Sequence, residues 1–144
     1  MSTRKRQHRD ILEDLEKEGK TLEVVLLAWG IIEMHCNNAL LRVFGLSTQN
    51  TKSRWLIDLG VSTKLRLLNL IELVSDNEFS VIQQFKRKRD GLAHRDGLFF
   101  PNYSQEAKRT LTEMAIAAAD VAHDLNDRAL KLPTSYVRYH LPEA

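Results

Sequence analysis

Between Thr21 and Phe44 the chain reads as one helix that is apolar on two sides, and a helix of that kind has only one comfortable place in a small fold. Leu22, Val25, Leu26, Trp29, Cys36, Leu40 and Phe44 form one stripe at helical spacing, with Glu33 set inside it. Val24, Leu27, Ile31 and Leu41, together with Asn38, form a second line. Such a helix needs neighbours on both flanks, which puts it in the middle of a bundle. Thr21 can cap its start and Gly45 is a natural stop.

The rest of the chain supplies the neighbours. Ile11, Leu12 and Leu15 make a short leading helix that ends at Gly19, preceded by a basic arm over residues 1–7 expected to be disordered. Residues 46–61 are rich in Ser, Thr, Asn and Gly and read as a connection anchored by Trp55, Leu56 and Ile57. Ser62 can cap a third helix carrying Leu65, Leu67, Leu68, Leu70, Ile71 and Val74, broken by Ser75-Asp76-Asn77. A fourth presents Phe79, Ile82, Phe85, Arg89 and Ala93 on one side and ends near His94. Leu98-Phe99-Phe100-Pro101 reads as an apolar loop. Ser104 can cap a fifth helix with Leu111, Met114, Ala115, Ala118, Ala122, Leu125, Ala129 and Leu132 in register, whose run from Ala115 to Ala119 allows close approach of a neighbour. Pro133 ends it, and Tyr136 to Tyr139 alternate as a docked strand would. The expectation is all-α: an up-and-down bundle of four main helices plus a short N-terminal one, with one domain over residues 8–132 and a tail over 133–144.

Composition agrees. The 144 residues suit one core, and only 3 prolines and 6 glycines interrupt them. The net charge is +2, yet positive charge gathers at Arg4-Lys5-Arg6 with Arg9 and at Lys86-Arg87-Lys88-Arg89. Either run can serve a polyanion or be a solvated face. One cysteine, Cys36, excludes an intrachain disulfide and is compatible with a reducing interior. The basic N-terminus is not followed by an apolar segment, and no uninterrupted apolar run is long enough to span a bilayer. The expected location is cytoplasmic, without a membrane partner.

Chemistry concentrates at Arg89-Asp90 and His94. Five residues of helix advance the chain about 7.5 Å and turn it about 140°, so Arg89 and His94 leave from adjacent faces. Asp90 stands four before His94 and can orient the imidazole. The same residues can equally be an ion-pair donor and a cation stabilised at a helix C-terminus. Glu33, within an apolar stripe, needs a partner if buried, and Arg89 is the most economical one. That pair would either fix helix register or hold the guanidinium in a site. His35-Cys36, His123 and His140 show no metal-ligand spacing, so no metal or other cofactor is expected. Asp120, Asp124 and Asp127 read as a solvated acidic ladder. The chain has no phosphate-binding glycine loop, nucleophile elbow or helix-turn-helix.

Trp29-Gly-Ile-Ile-Glu33, Lys64-Leu-Arg-Leu-Leu68 and Arg89-Asp-Gly-Leu-Ala-His94 together resemble a HEPN domain, over roughly residues 8 to 130. The family's signature is Arg, a polar residue, a few variable residues, then His. The resemblance implies a metal-independent endoribonuclease, a toxin or phage-defence effector, working as a homodimer in which two motifs meet. Its implied roles are His94 as general acid or base, Arg89 as stabiliser of phosphate charge, Asp90 and Glu33 as orienting groups, and Lys86, Arg87, Lys88 and Arg95 as RNA contacts. A protein antitoxin or regulatory partner is implied too, although Asp96 stands where one toxin group has a modifiable tyrosine. A second similarity, carried by Leu59-Gly-Val-Ser-Thr-Lys-Leu-Arg-Leu-Leu68, is to mannitol-operon-repressor-like proteins and implies a non-catalytic regulatory module.

Overall fold

The structure, a computed structural model, describes residues 2–47, 49, 51–94 and 100–132. Among them lie six α-helices and no strand: α1 (Thr3–Lys17), α2 (Thr21–Phe44), α3 (Thr51–Ile57), α4 (Val61–Leu70), α5 (Asp76–His94) and α6 (Gln105–Leu130), with a 3-10 turn at Phe100–Asn102 before α6. The chain is an all-α bundle. Arg95, Asp96, Leu98, Phe99, His140 and the tail from Pro133, to which the sequence assigns roles, lie outside the described residues.

Local signals set the helix ends. Gly19 and Gly45 both take left-handed backbone, at φ 72° and 65°, where a side chain would be strained. Ser104 Oγ accepts from the Ala107 amide at 3.0 Å and opens α6. Ser75 and Glu78 form a reciprocal capping box at the start of α5. Glu78 also receives Arg128 from α6 at 2.7 Å. Its carboxyl would be raised by burial, but hydrogen bonds from Arg128 and Ser75 outweigh this and hold it below the usual carboxylate value.

Cross-helix contacts fix the directions. The start of α5 meets the end of α6 through Glu78 and Arg128, so these two helices run antiparallel. Lys5 and Arg9 of α1 meet Asp124 and Asp120 of α6 in the opposite order, so α1 is antiparallel to α6 as well. Arg42, near the end of α2, donates to the carbonyls of Ala129, Leu130 and Leu132 at the end of α6. Hence α2 and α6 lie side by side in the same direction. They form the most extensive helix pair, and the small residues Ala28, Ala39, Ala115, Ala118, Ala119 and Ala122, all buried, sit within the one core that both helices line.

Several expectations need correction. The N-terminal arm is helical: Ser2 caps α1 through the Lys5 amide, and Lys5 and Arg9 find carboxylates on α6. The acidic ladder is therefore not merely solvated. Asp120 and Asp124 bind the basic run, while burial raises the Asp120 carboxyl despite Arg9 and Lys5 beside it. Residues 51–57 form a helix rather than irregular chain, and Trp55 anchors nothing, being 73% exposed. Helix α4 starts at Val61 after Gly60, so Ser62 is inside it and bonds Gln83 instead of capping. It stops at Leu70, and Glu72 adopts φ 60° in the turn that follows. Thr21 is the first helical residue, and no side chain caps α2.

Both expected apolar lines of α2 are largely buried, with Val25, Trp29, Cys36 and Leu40 of one and Val24, Ile31 and Leu41 of the other, but its leucines near the start are not. Val24, Ala28, Ile32, Cys36, Ala39 and Val43 are buried, whereas Leu22 and Leu26 are 44% and 66% exposed. Leu22 and Leu26 belong to the part of the stripe that the neighbouring helices leave uncovered. By length and composition alone α2 is apolar enough to cross a membrane, but 61% of its most apolar stretch is buried within the bundle.

Candidate functional site

Two groups of polar side chains are held by this frame. The first lies where α2, the start of α4 and α5 border a cleft of about 370 Å³, lined by Trp29, Glu33 and Asn37, by Gly60, Val61 and Lys64, and by Lys86, Arg89 and Asp90. Phe85 and Ile82, both fully buried, seat α5 in the core and turn its next residues toward this cleft.

The Arg89 guanidinium lies over the Trp29 ring, 4.8 Å from its centroid. This cation–π contact leaves it partly exposed, at 32% of its side-chain surface. Asp90 accepts from Arg89 at 3.1 Å and from Lys86 at 2.6 Å. Burial alone would raise its carboxyl, but hydrogen bonds from Lys86 and Arg89 prevail and keep it below the usual value. Lys64 is nearly buried, with its ammonium donating to the Ile57 carbonyl at 2.7 Å, and burial lowers its pKa. Cys36 is buried and its thiol is pushed up to about 12 by that burial, so it is not a reactive thiol.

Glu33 departs from expectation. It is exposed, not buried, and it does not pair with Arg89; its Oε1 accepts from Trp29 Nε1 at 2.8 Å. One helical turn separates Trp29 from Glu33, so this bond is local. The tryptophan thus mediates between the two: its N–H goes to the carboxylate and its face to the guanidinium. The carboxylate orients the ring on which Arg89 rests.

Lys86, Arg89, Asp90 and Glu33 are brought together, but His94 is not. It is exposed, at the last position of α5, and does not line the cleft. Among the described residues Asp90 bonds Lys86 and Arg89 rather than the imidazole, so it does not orient His94 within one chain. Arg87 and Lys88 are exposed, and Lys88 borders a separate cavity of about 360 Å³ with Leu92, Tyr103 and Met114 on the α6 side.

The second group was missed in the sequence. His8 of α1, His35 of α2 and His123 of α6 converge, each presenting a ring nitrogen within 4.8 Å of the others. His8 Nδ1 and His123 Nε2 are 3.0 Å apart, and the His35 and His123 ring centroids 4.2 Å. His35 and His123 are 1% and 3% exposed. Both are lowered to about 4, chiefly by burial, with the neighbouring imidazoles adding to it. His8 is lowered by burial and then by Arg4. Both ring nitrogens of His35 are buried without a hydrogen-bond partner. The expectation that His35 and His123 lack partners at ligand distance is therefore corrected. Helical phase was the available signal: His35 falls in line with Ile31, Ile32 and Ala39, and His123 with Ala119 and Ala122, all facing the core.

Set against models of known protein families, characterised proteins and solved structures, the chain gives no match.

Proposed function

We propose that the chain is a metal-independent endoribonuclease of HEPN type whose active site is assembled from two copies. The observation that carries this reading is Arg89, stacked on Trp29 and open to a cleft rather than locked to Glu33. A guanidinium held on an aromatic face is a fixed cation with its remaining N–H groups free for a phosphate, and it costs little reorganisation when charge develops there. Lys64 and Lys86 line the same cleft, and Arg87 and Lys88 continue the basic surface, which suits the phosphate contacts that dominate RNA affinity.

The reaction asks for few groups. The ribose 2′-hydroxyl stands beside its own phosphorus, so proximity is supplied by the RNA. A base removes the hydroxyl proton as the oxygen attacks phosphorus, an acid protonates the departing 5′-oxygen, and a 2′,3′-cyclic phosphate remains. His94 is the proton carrier in this scheme and Arg89 stabilises the phosphorane charge. Within one protomer they occupy different surroundings, so a second copy must bring its His94 to the first copy's cleft. Leu22 and Leu26, exposed on the same flank of α2 as Trp29 and Glu33, offer apolar surface beside the cleft for that copy. A cytoplasmic role as toxin or phage-defence effector, restrained by a protein antitoxin, follows from the same proposal.

In EDTA, purified protein cuts RNA to cyclic-phosphate ends, and Arg89→Ala or His94→Ala lowers the rate at least ~10²-fold. Equal cleavage by all three proteins would assign the activity to a contaminant. The other reading is a non-catalytic regulatory module, favoured by the placement of His94 outside the cleft. RNA binding that weakens in Arg89→Ala, without cleavage under any condition, would select it.

A further inference from the structure

The convergence of His8, His35 and His123 is independent of the Arg89 cleft and calls for its own explanation. Three helices, α1, α2 and α6, each spend a core or near-core position on an imidazole at the same point. A neutral imidazole carries one N–H and one lone pair. His8 and His123 satisfy one nitrogen each by their mutual contact at 3.0 Å. His35 satisfies neither, although it is 1% exposed. A native core rarely leaves a ring with both nitrogens orphaned, and an ion is one of the ordinary reasons for finding one.

We propose that His8, His35 and His123 form a three-histidine site for a divalent transition metal of the zinc type, which clamps α1 onto α2 and α6. The donor set selects the class of ion. Three nitrogens and no oxygen disfavour calcium and magnesium and suit zinc and its first-row neighbours. Metal–nitrogen bonds of about 2.0–2.1 Å place tetrahedral ligand atoms roughly 3.3 Å apart. The three nitrogens here span no more than 4.8 Å, and the closest pair is already at 3.0 Å, so side-chain rotation suffices to close on an ion. The buried surroundings keep the rings neutral, the form that ligates. Asp120 and Asp124 stand near the site on α6 and offset its charge, although both are engaged by α1 cations. The fourth position is left to water.

The clamp has a clear place in the fold. Only Leu12 of α1 is fully buried and Leu15 packs partly buried against the core; the helix is further held by the Lys5–Asp124 and Arg9–Asp120 pairs and His8. Metal binding would add bonds between α1 and both central helices.

The test uses the full chain, stripped with a chelator and dialysed, then titrated with Zn2+ and with Co2+. The expected result is one equivalent per protomer, d–d absorption of low-coordinate Co2+, a melting temperature higher by several degrees at ~100-fold excess over Kd, and slower amide exchange in α1. His8→Gln, on the partly exposed side of the site, folds and loses binding; His123→Gln loses it too; His94→Ala keeps it. Imidazole nitrogen resonances of the unmutated protein provide a readout that needs no variant, and those of all three histidines shift with Zn2+. Absence of stoichiometric binding, binding that survives His8→Gln, or unshifted resonances for His35 would overturn the proposal. Ribonuclease activity enters none of these readouts, so the outcome is separate from that of the cleavage assay.

Discussion

The Arg89 cleft and the histidine cluster are both polar groups built on the same helices, yet they solve opposite problems. In the cleft, charge is kept near solvent. Each charged group there has a partner: Arg89 has Trp29 and Asp90, Lys86 has Asp90, Lys64 has the Ile57 carbonyl and Glu33 has Trp29. In the cluster, ionisable rings are taken out of water and must stay neutral, and one of them has no hydrogen-bond partner. The cleft should therefore tolerate pH and salt in its folding while depending on them in binding. Folding of the cluster, by contrast, should depend on pH, because its buried rings resist protonation.

The largest stability effect comes from acid. Between the ordinary histidine value near 6.5 and the folded value of about 4, the unfolded chain binds protons that folded His35 and His123 refuse. Unfolding free energy rises with pH wherever the unfolded state holds more protons. The metal-free protein thus keeps the full contribution above about pH 6.5 and loses it as pH falls toward 4, on the order of a few kcal/mol for the pair. Melting curves at steps from pH 7 to pH 4.5 check this, and a flat profile would remove the contrast between the two regions. A smaller effect of unusual sign is expected for His35→Leu. It replaces an unpartnered buried ring with an apolar side chain and leaves the His8–His123 contact in place, so the metal-free protein gains about 1 kcal/mol. Denaturant unfolding decides it, and a loss would show that the ring is satisfied in solution. The smallest effect is Lys5→Ala, which breaks a partly exposed pair with Asp124 and costs about 0.2–1 kcal/mol, less in high salt.

The two regions also differ in how far the sequence exposes them. Local chemistry is well written there: Gly19, Gly45 and Ser104 mark helix ends because each acts within a few residues of itself. The Arg89-Asp90 and His94 motif lies on one helix and can be read as a string. Glu33 could not be placed, because whether a carboxylate in an apolar stripe is buried depends on which flank the neighbours occupy. Here the neighbouring helices leave Glu33, Leu22 and Leu26 uncovered. The basic run at Arg4-Lys5-Arg6 looked like a free arm because its carboxylate partners lie on α6, beyond the reach of any local pattern. The histidine cluster was hidden for the same reason. Its three members are each unremarkable in their own helix and meet only once α1, α2 and α6 are assembled.

The central functional claim is that the cation and the proton carrier of one site come from different protomers. Mixing Arg89→Ala with His94→Ala protein, after exchange of subunits, tests it directly. Each mixed dimer then holds one intact site, and since half the dimers are mixed, about a quarter of the wild-type cleavage returns from two inactive parents. Parents that dimerise and exchange but yield an inactive mixture would contradict it.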